Sequence, residues 1–219
     1  MKSMLTRILV VFALAFVAVY ANAQTPPDAH SLPEVPDPGS VTGSTYTNKY
    51  FGLTLPIPAG WTVQEADIKK QINEKGKELV TSDDPTTKDK LDRAVDKTLN
   101  LLTITEHPLD SSAPSNAMLI CGAEQSSGIK SDAAYMLAVK HTLTYSQVPV
   151  TIKKEVYSEQ IGGVAFSVMD LETDYSGVIV SQRYYARLVK NHFLFFIVIY
   201  QTPEQLNTLT ETLKLIKLQ

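Results

Sequence analysis

The chain is poorest in the residues that would staple or catalyse. Of 219 residues one is cysteine, Cys121. No disulfide can therefore form within the chain, even in an oxidising compartment. Cys121 follows Leu119-Ile120 and precedes Gly122. An apolar setting of that kind buries a thiol and leaves it inert. Histidine is nearly as scarce. His30, His107, His141 and His192 are scattered, without the paired spacing of a zinc site, and His107-Pro108-Leu109-Asp110 is the nearest approach to one. There is no Gly-x-Ser-x-Gly nucleophile turn, and Ser126-Ser127-Gly128 has only the composition of a loop. No glycine-rich phosphate cradle is present. A strong excess of one charge is missing too. The net charge is −3, which makes nucleic acid and anionic lipid poor partners.

What is present begins with the one long apolar run. Lys2 and Arg7 lead into Ile8 to Tyr20, and the run closes on Ala21-Asn22-Ala23. A basic start, an apolar core too short for a comfortable span and a small-x-small close are the parts of a signal peptide. The expectation is export, with cleavage near Ala23 and a mature chain from Gln24 that is more acidic by two charges. No cysteine comes after the run to take a lipid. The mature protein is therefore expected in the periplasm or medium without a stable membrane anchor.

Residues 24–44 are rich in proline, serine and aspartate, with Pro26, Pro27, Pro33, Pro36 and Pro38. So little apolar content cannot offset the entropy of ordering, and a disordered leader is expected. Residues 45–219 form one domain, long enough to bury a core without staples. Its opening, Tyr46 to Pro56, reads as a hairpin turning at Asn48-Lys49, and Pro56 and Pro58 keep the adjoining residues off a central strand. Trp61 reads as a core anchor. Helices are expected over 64–80, over 84–98 with Asp84 as cap and Pro85 in the first turn, and over 131–143 with Ser131 as cap. Strands are expected over 99–106 and 117–124. From Val150 onward strands succeed one another through Gly162-Gly163, Asp174 to Gly177 and Lys190 to His192. Phe193 to Tyr200 is apolar at both parities, which predicts a central strand covered on both faces. Thr202-Pro203-Glu204-Gln205 has capping-box spacing and opens a last helix with Leu206, Leu209, Leu213 and Ile216 on its stripe. The sum is an α+β fold, a three-layer α/β/α sandwich around a mainly antiparallel sheet.

Two short elements carry a family resemblance. Tyr50-Phe51-Gly52-Leu53-Thr54-Leu55-Pro56 and then Pro58-Ala59-Gly60-Trp61 resemble the opening of the PsbP-like superfamily, and Gly162-Gly163-Val164-Ala165-Phe166 resembles its second landmark. The resemblance spans about residues 46–218. It implies an α/β/α sandwich and a binding or accessory role without enzymatic chemistry. The signal argues against the family's nuclear import branch and favours its bacterial envelope proteins of the DcrB type. Both motifs are structural, so no ligand residues come with them and no cofactor is implied.

Two residue sets point to binding. Asp170, Glu172 and Asp174 alternate toward a hairpin end, so three carboxylates share one sheet face and offer oxygens to a hard cation such as calcium. The competing reading is a solvated strand edge, neutralised by Arg183 and Arg187 of the next strand. Arg183, Tyr185 and Arg187 alternate onto one face with the side chains favoured at recognition surfaces, against cross-strand pairing beside a helix. The residues favour a non-enzymatic accessory protein of the envelope whose partner is another envelope protein. The alternatives are a small-ligand carrier or an enzyme with a site assembled from scattered residues, and a metal binder acting through the acidic hairpin.

Overall fold

The computed structural model describes residues 36–219 apart from 80, 148 and 176. The signal and most of the leader lie outside the described residues. The order begins with β1 (Ser40–Thr42), β2 (Thr45–Asn48), β3 (Leu53–Pro56), β4 (Thr62–Val63), α1 (Ala66–Leu79) and α2 (Pro85–Asp96). It continues with β5 (Thr98–Thr105), β6 (Met118–Gln125), α3 (Asp132–Leu143), β7 (Val150–Ile161), β8 (Val164–Tyr175) and β9 (Val178–Val189). It ends with β10 (His192–Tyr200), α4 (Pro203–Lys214) and β11 (Lys217–Leu218).

Seven strands form the main sheet in the order β4-β5-β6-β10-β9-β8-β7, with every pairing antiparallel. β10 sits in the middle, as its double-sided apolar pattern predicts. Phe193, Phe195, Ile197 and Ile199 point into one core cluster with Ile72 of α1, Leu91 and Val95 of α2, and Tyr135, Met136 and Val139 of α3. Leu194, Phe196 and Val198 point into the other, with Leu209 and Leu213 of α4. The period of two in the strand thus divides the interior into two cores, one per face.

The second face departs in detail from a plain helical layer. The opening hairpin does not join the central sheet. β2 and β3 pair with β1 and β11 in a separate four-stranded sheet, and Tyr46, Leu53 and Leu55 from it fill the second core. Pro56 and Pro58 supply the physical reason, because they interrupt the donors a continuing strand would need. Trp61 is half-buried against the same core.

The leader also ends earlier than its composition suggests. β1 lies inside 24–44 and pairs in register with β2, Ser40 to Thr47 and Thr42 to Thr45. Asp37 fastens the entry: its carboxylate accepts from Gly39 N at 2.7 Å and Tyr50 N at 3.1 Å. Asn48 Nδ2 donates to Asp37 O at 2.7 Å, and Tyr46 Oη donates to Pro38 O at 2.9 Å. Hydrogen bonds to side chains, rather than apolar burial, order this stretch, which is why composition missed it.

The helix ends obey the expected chemistry. Asp84 Oδ2 accepts from Thr87 N, Ser131 from Ala134 N and Thr202 from Gln205 N, and the Thr202–Gln205 capping box is complete. Gly162 marks a close approach. At φ +58 it lies where an added Cβ would sit 2.4 Å from Ile216 O, so this hairpin and the chain after α4 pack backbone to backbone.

Candidate functional site

The face that carries α4 is not uniform along β7, β8 and β9. Near Gly162 it is apolar, with Ile161, Phe166, Val168 and Tyr185 in the core. Toward the other end of the same strands polar groups replace them. The pairing of β8 with β9 sets Asp170 opposite Arg183, Glu172 opposite Ser181 and Asp174 opposite Ile179, and β10 adds Tyr200 opposite Ser181. Exposure rises along this line. Asp170 and Arg183 side chains are 15% and 19% exposed, Glu172 is at 30%, and Ile179 stands at 50%.

The centre of this face is a charge network. Arg183 Nε and Nη2 bind Asp170 as a fork, at 2.7 and 3.0 Å, the geometry that makes an arginine–carboxylate pair strong. Arg183 Nη1 stands 3.9 Å from Glu159 Oε2. Tyr157 Oη is 3.4 Å from both Glu159 Oε2 and Asp170 Oδ1. Burial alone would weaken the Arg183 charge, but the Asp170 carboxylate outweighs it and holds the guanidinium's pKa above its ordinary value. Burial, and then the Asp170 charge, pushes the Tyr157 and Tyr200 hydroxyls up as well.

The residues singled out from the sequence fall here in part. Each of the three carboxylates has a protein contact: Asp170 with Arg183, Glu172 with Lys153 Nζ at 3.0 Å, and Asp174 with Gly177 N at 2.7 Å. Among the described residues no three or more His, Cys, Asp or Glu side chains gather as a metal would require. Arg187 turns away from the acids and donates to Ala165 O at 2.7 Å. Tyr185 is corrected from a surface residue to a core one. It is 0% exposed because its ring continues the apolar row of Phe196 and Val168. Burial raises its pKa, and the Arg183 guanidinium against its hydroxyl opposes the rise.

Tyr157, Glu159 and Lys154 were not singled out. Counting back from the Gly162-Gly163 turn pairs Ile161 with Val164 and reaches Tyr157 opposite Val168, so the first of these was available. Beyond it two register shifts intervene, between Tyr157 and Lys154 and between Lys154 and Ile152. Regular pairing would set Glu155 opposite Asp170. The shifts set Lys154 there instead.

A second polar group closes the opposite end of the molecule. Tyr50 Oη and His192 Nδ1 are 3.1 Å apart, and Lys190 Nζ lies 4.2 Å over the Tyr50 ring. Ser126 Oγ donates to Asn191 Oδ1 at 2.7 Å. Lys190 and Ser127 have φ of +56 and +46, a conformation that costs a non-glycine residue about 1–2 kcal/mol. The group joins three turns and holds the entry at Asp37. Burial lowers the His192 pKa. Cys121 is fully buried, which pushes its thiol well above the ordinary value. The void beneath α3, among Tyr135, Met136, Tyr184 and Phe195, has about the room of one water. No helix among the described residues is long and apolar enough to cross a membrane.

No family model matches the chain, and no curated protein matches it in sequence. Solved structures do. One is cyanobacterial PsbP (CyanoP) from Synechocystis sp. PCC 6803, at 9% identity over 83% of this chain and 96% of that one, with a TM-score of 0.44. Another is LpqN of Mycobacterium tuberculosis, described as involved in cell envelope biogenesis, at 17% identity over 81% and 83%, with a TM-score of 0.35. A third is PA94 of Pseudomonas aeruginosa, a protein of unknown function, at 18% identity over 48% and 75%, with a TM-score of 0.39. A cyanobacterial PsbP thus stands among the structures this chain is similar to. At these scores the likeness transfers no activity.

Proposed function

We propose that this chain is an exported, non-enzymatic accessory protein of the bacterial cell envelope, and that it binds another envelope protein through the open half of the sheet face beside α4. One observation supports this reading above others. The three longest strands extend past the cover that α4 and the small sheet provide, and they present half-buried Tyr157, paired charges and the exposed Ile179 on one surface, which half-buried Tyr200 of β10 adjoins. Apolar and aromatic groups rimmed by satisfied charges are the make-up of a protein-binding surface.

Photo-crosslinking in intact cells tests the reading. A photoreactive residue at Ile179 or Ser181 is expected to give a discrete adduct that the same residue at Lys90, on α2, does not. Adducts of equal yield from both faces, or none from β9, would reject it. Fractionation with amino-terminal sequencing tests the export half, with a mature start near Gln24 expected.

A further inference from the structure

We propose that the open face takes a primary ammonium, presented as a lysine side chain on an extended segment of the partner, and that Lys154 is its intramolecular stand-in. The inference rests on the reading of this face as the binding surface and names the chemistry of what binds there.

Lys154 is exposed on an edge strand, yet its Nζ lies 3.4 Å from the centroid of the Tyr157 ring. An ammonium against an aromatic face is held by the ring quadrupole, worth about 0.5–1 kcal/mol where solvent has access. The register shifts show how it comes to be there. A bulge gives up ladder hydrogen bonds and re-aims a side chain, and bulges concentrate next to working sites. Here the shifted register exchanges the carboxylate of Glu155 for the ammonium of Lys154 opposite Asp170, and Glu155 pairs instead with Lys140 of α3 at 2.7 Å.

The acids around the ring are unequally committed. Asp170 is forked by Arg183, whereas Glu159 meets Tyr157 Oη at 3.4 Å and Arg183 at 3.9 Å and attracts the Lys214 ammonium from a distance. Glu159 therefore keeps acceptor capacity for a second cation beside Tyr157. Aromatic ring and neighbouring carboxylate together suit a guest that is cationic. The net negative charge of the chain draws a basic segment toward it. An exposed lysine can leave the ring for water at little cost, so exchange is open to a competitor of the same chemistry.

The test titrates the full exported protein with acetylated, amidated hexalysine, monitored by amide chemical shifts. Shifts are expected at Tyr157, Glu159 and Arg183. Lys154→Ala removes the internal competitor and is expected to tighten binding by about twofold to fivefold. Tyr157→Ala is expected to weaken it by at least that factor, while Tyr157→Phe keeps the ring and binds as the parent does. The same peptide acetylated on every side chain is expected not to bind. The proposal falls if Lys154→Ala binds no better than the parent, if the acetylated peptide binds equally, or if the shifts map elsewhere. Self-association abolished by Tyr157→Ala would name a second copy as occupant and also overturn it. If the peptide arms fail while Ile179 still crosslinks a partner, this inference falls and the reading of the face stands.

Discussion

The two halves of one sheet face are built on the same strands and do opposite things. Near the Gly162 turn, β8 and β9 present Phe166, Val168 and Tyr185 to α4 and the small sheet, all at 1% exposure or less. Two residues further along, the same parity presents Asp170 and Arg183, and then Glu172, Asp174 and Ile179. The backbone does not register the change, since the β8–β9 pairing runs unbroken from Ser167–Ala186 to Tyr175–Val178. What differs is the cover. Where a second layer arrives, apolar side chains repay the ordering of the chain. Where it does not, charges are paired across strands so that a half-dry surface stays soluble. The strands outlast the core they were needed for, and the surplus length is the candidate site.

If the covered half carries stability, truncation there should dominate every other change. Phe196→Ala removes a ring at 0% exposure next to Tyr185 and Phe166. A loss of about 3–5 kcal/mol is expected in denaturant melts. A loss below about 1 kcal/mol would mean that the two halves do not differ in the way described. The boundary should give an intermediate value. Asp170→Ala leaves the Arg183 fork without its acceptor in a place only 15–19% exposed, and about 1.5–3 kcal/mol is expected. Replacing both partners, with Asp170→Leu and Arg183→Met, is expected to cost less than the single change, because no charge is stranded. A double variant weaker than Asp170→Ala would refute that account.

The covered half was legible in the sequence and the open half only partly so. Phe193 to Tyr200 announced a central strand through its two apolar parities, and the Thr202 capping box placed α4. Hairpin turns at Gly162-Gly163 and Asp174 to Gly177 placed β8 between β7 and β9, but a turn over 174–177 counts Asp170 against Ser181, and the pair with Arg183 arises because β8 runs on to Tyr175. The opening hairpin could not be assigned to its own sheet, since Leu53 and Leu55 alternate identically in either place. Lys154 could not be found at all: its position depends on two register shifts, and no residue near 152–157 signals an extra residue in the strand. Tyr185 stood among the binding candidates, beside the reading that it pairs under cover, because alternation gives the face of a side chain but not where along that face the cover ends. The same limit hid the order at Asp37, which depends on partners eleven and thirteen residues away.

Outward from Asp170 the ion pairs should fade quickly, which gives a finer test of where cover ends. Lys153 and Glu172 meet at 3.0 Å with side chains 52% and 30% exposed. Water competes for both, and holding two long side chains costs entropy. Glu172→Ala is therefore expected to cost about 0.2–1 kcal/mol, and roughly 1 M sodium chloride should erase most of it. The Asp170→Ala loss should survive the same salt largely intact. Equal salt sensitivity of the two would place Asp170 in the open half with Glu172, and the boundary would move back to Val168.

The smallest expected effect lies at the far end of the covered half and appears only on acidification. The Tyr50 turn of the small sheet closes over His192, and burial lowers the histidine's pKa below its ordinary value near 6.5. Above that value the imidazole is neutral in both folded and unfolded chains, and its contribution is complete. As pH falls through about 6.5 the unfolded chain takes the proton first, so stability declines, and the decline ends only below the folded value. A proton on His192 would also stand beside the Lys190 ammonium across the Tyr50 ring. Amide protection at Tyr46 to Leu55, taken relative to the intrinsic exchange rate at each pH, should therefore fall between about pH 7.5 and 5.5, while protection over Val168 to Arg183 should not change with it. His192→Gln, which stays neutral, should flatten that dependence. Protection that falls in both regions together would show that cover and open face share one cooperative unit, and the contrast between them would then be one of exposure alone.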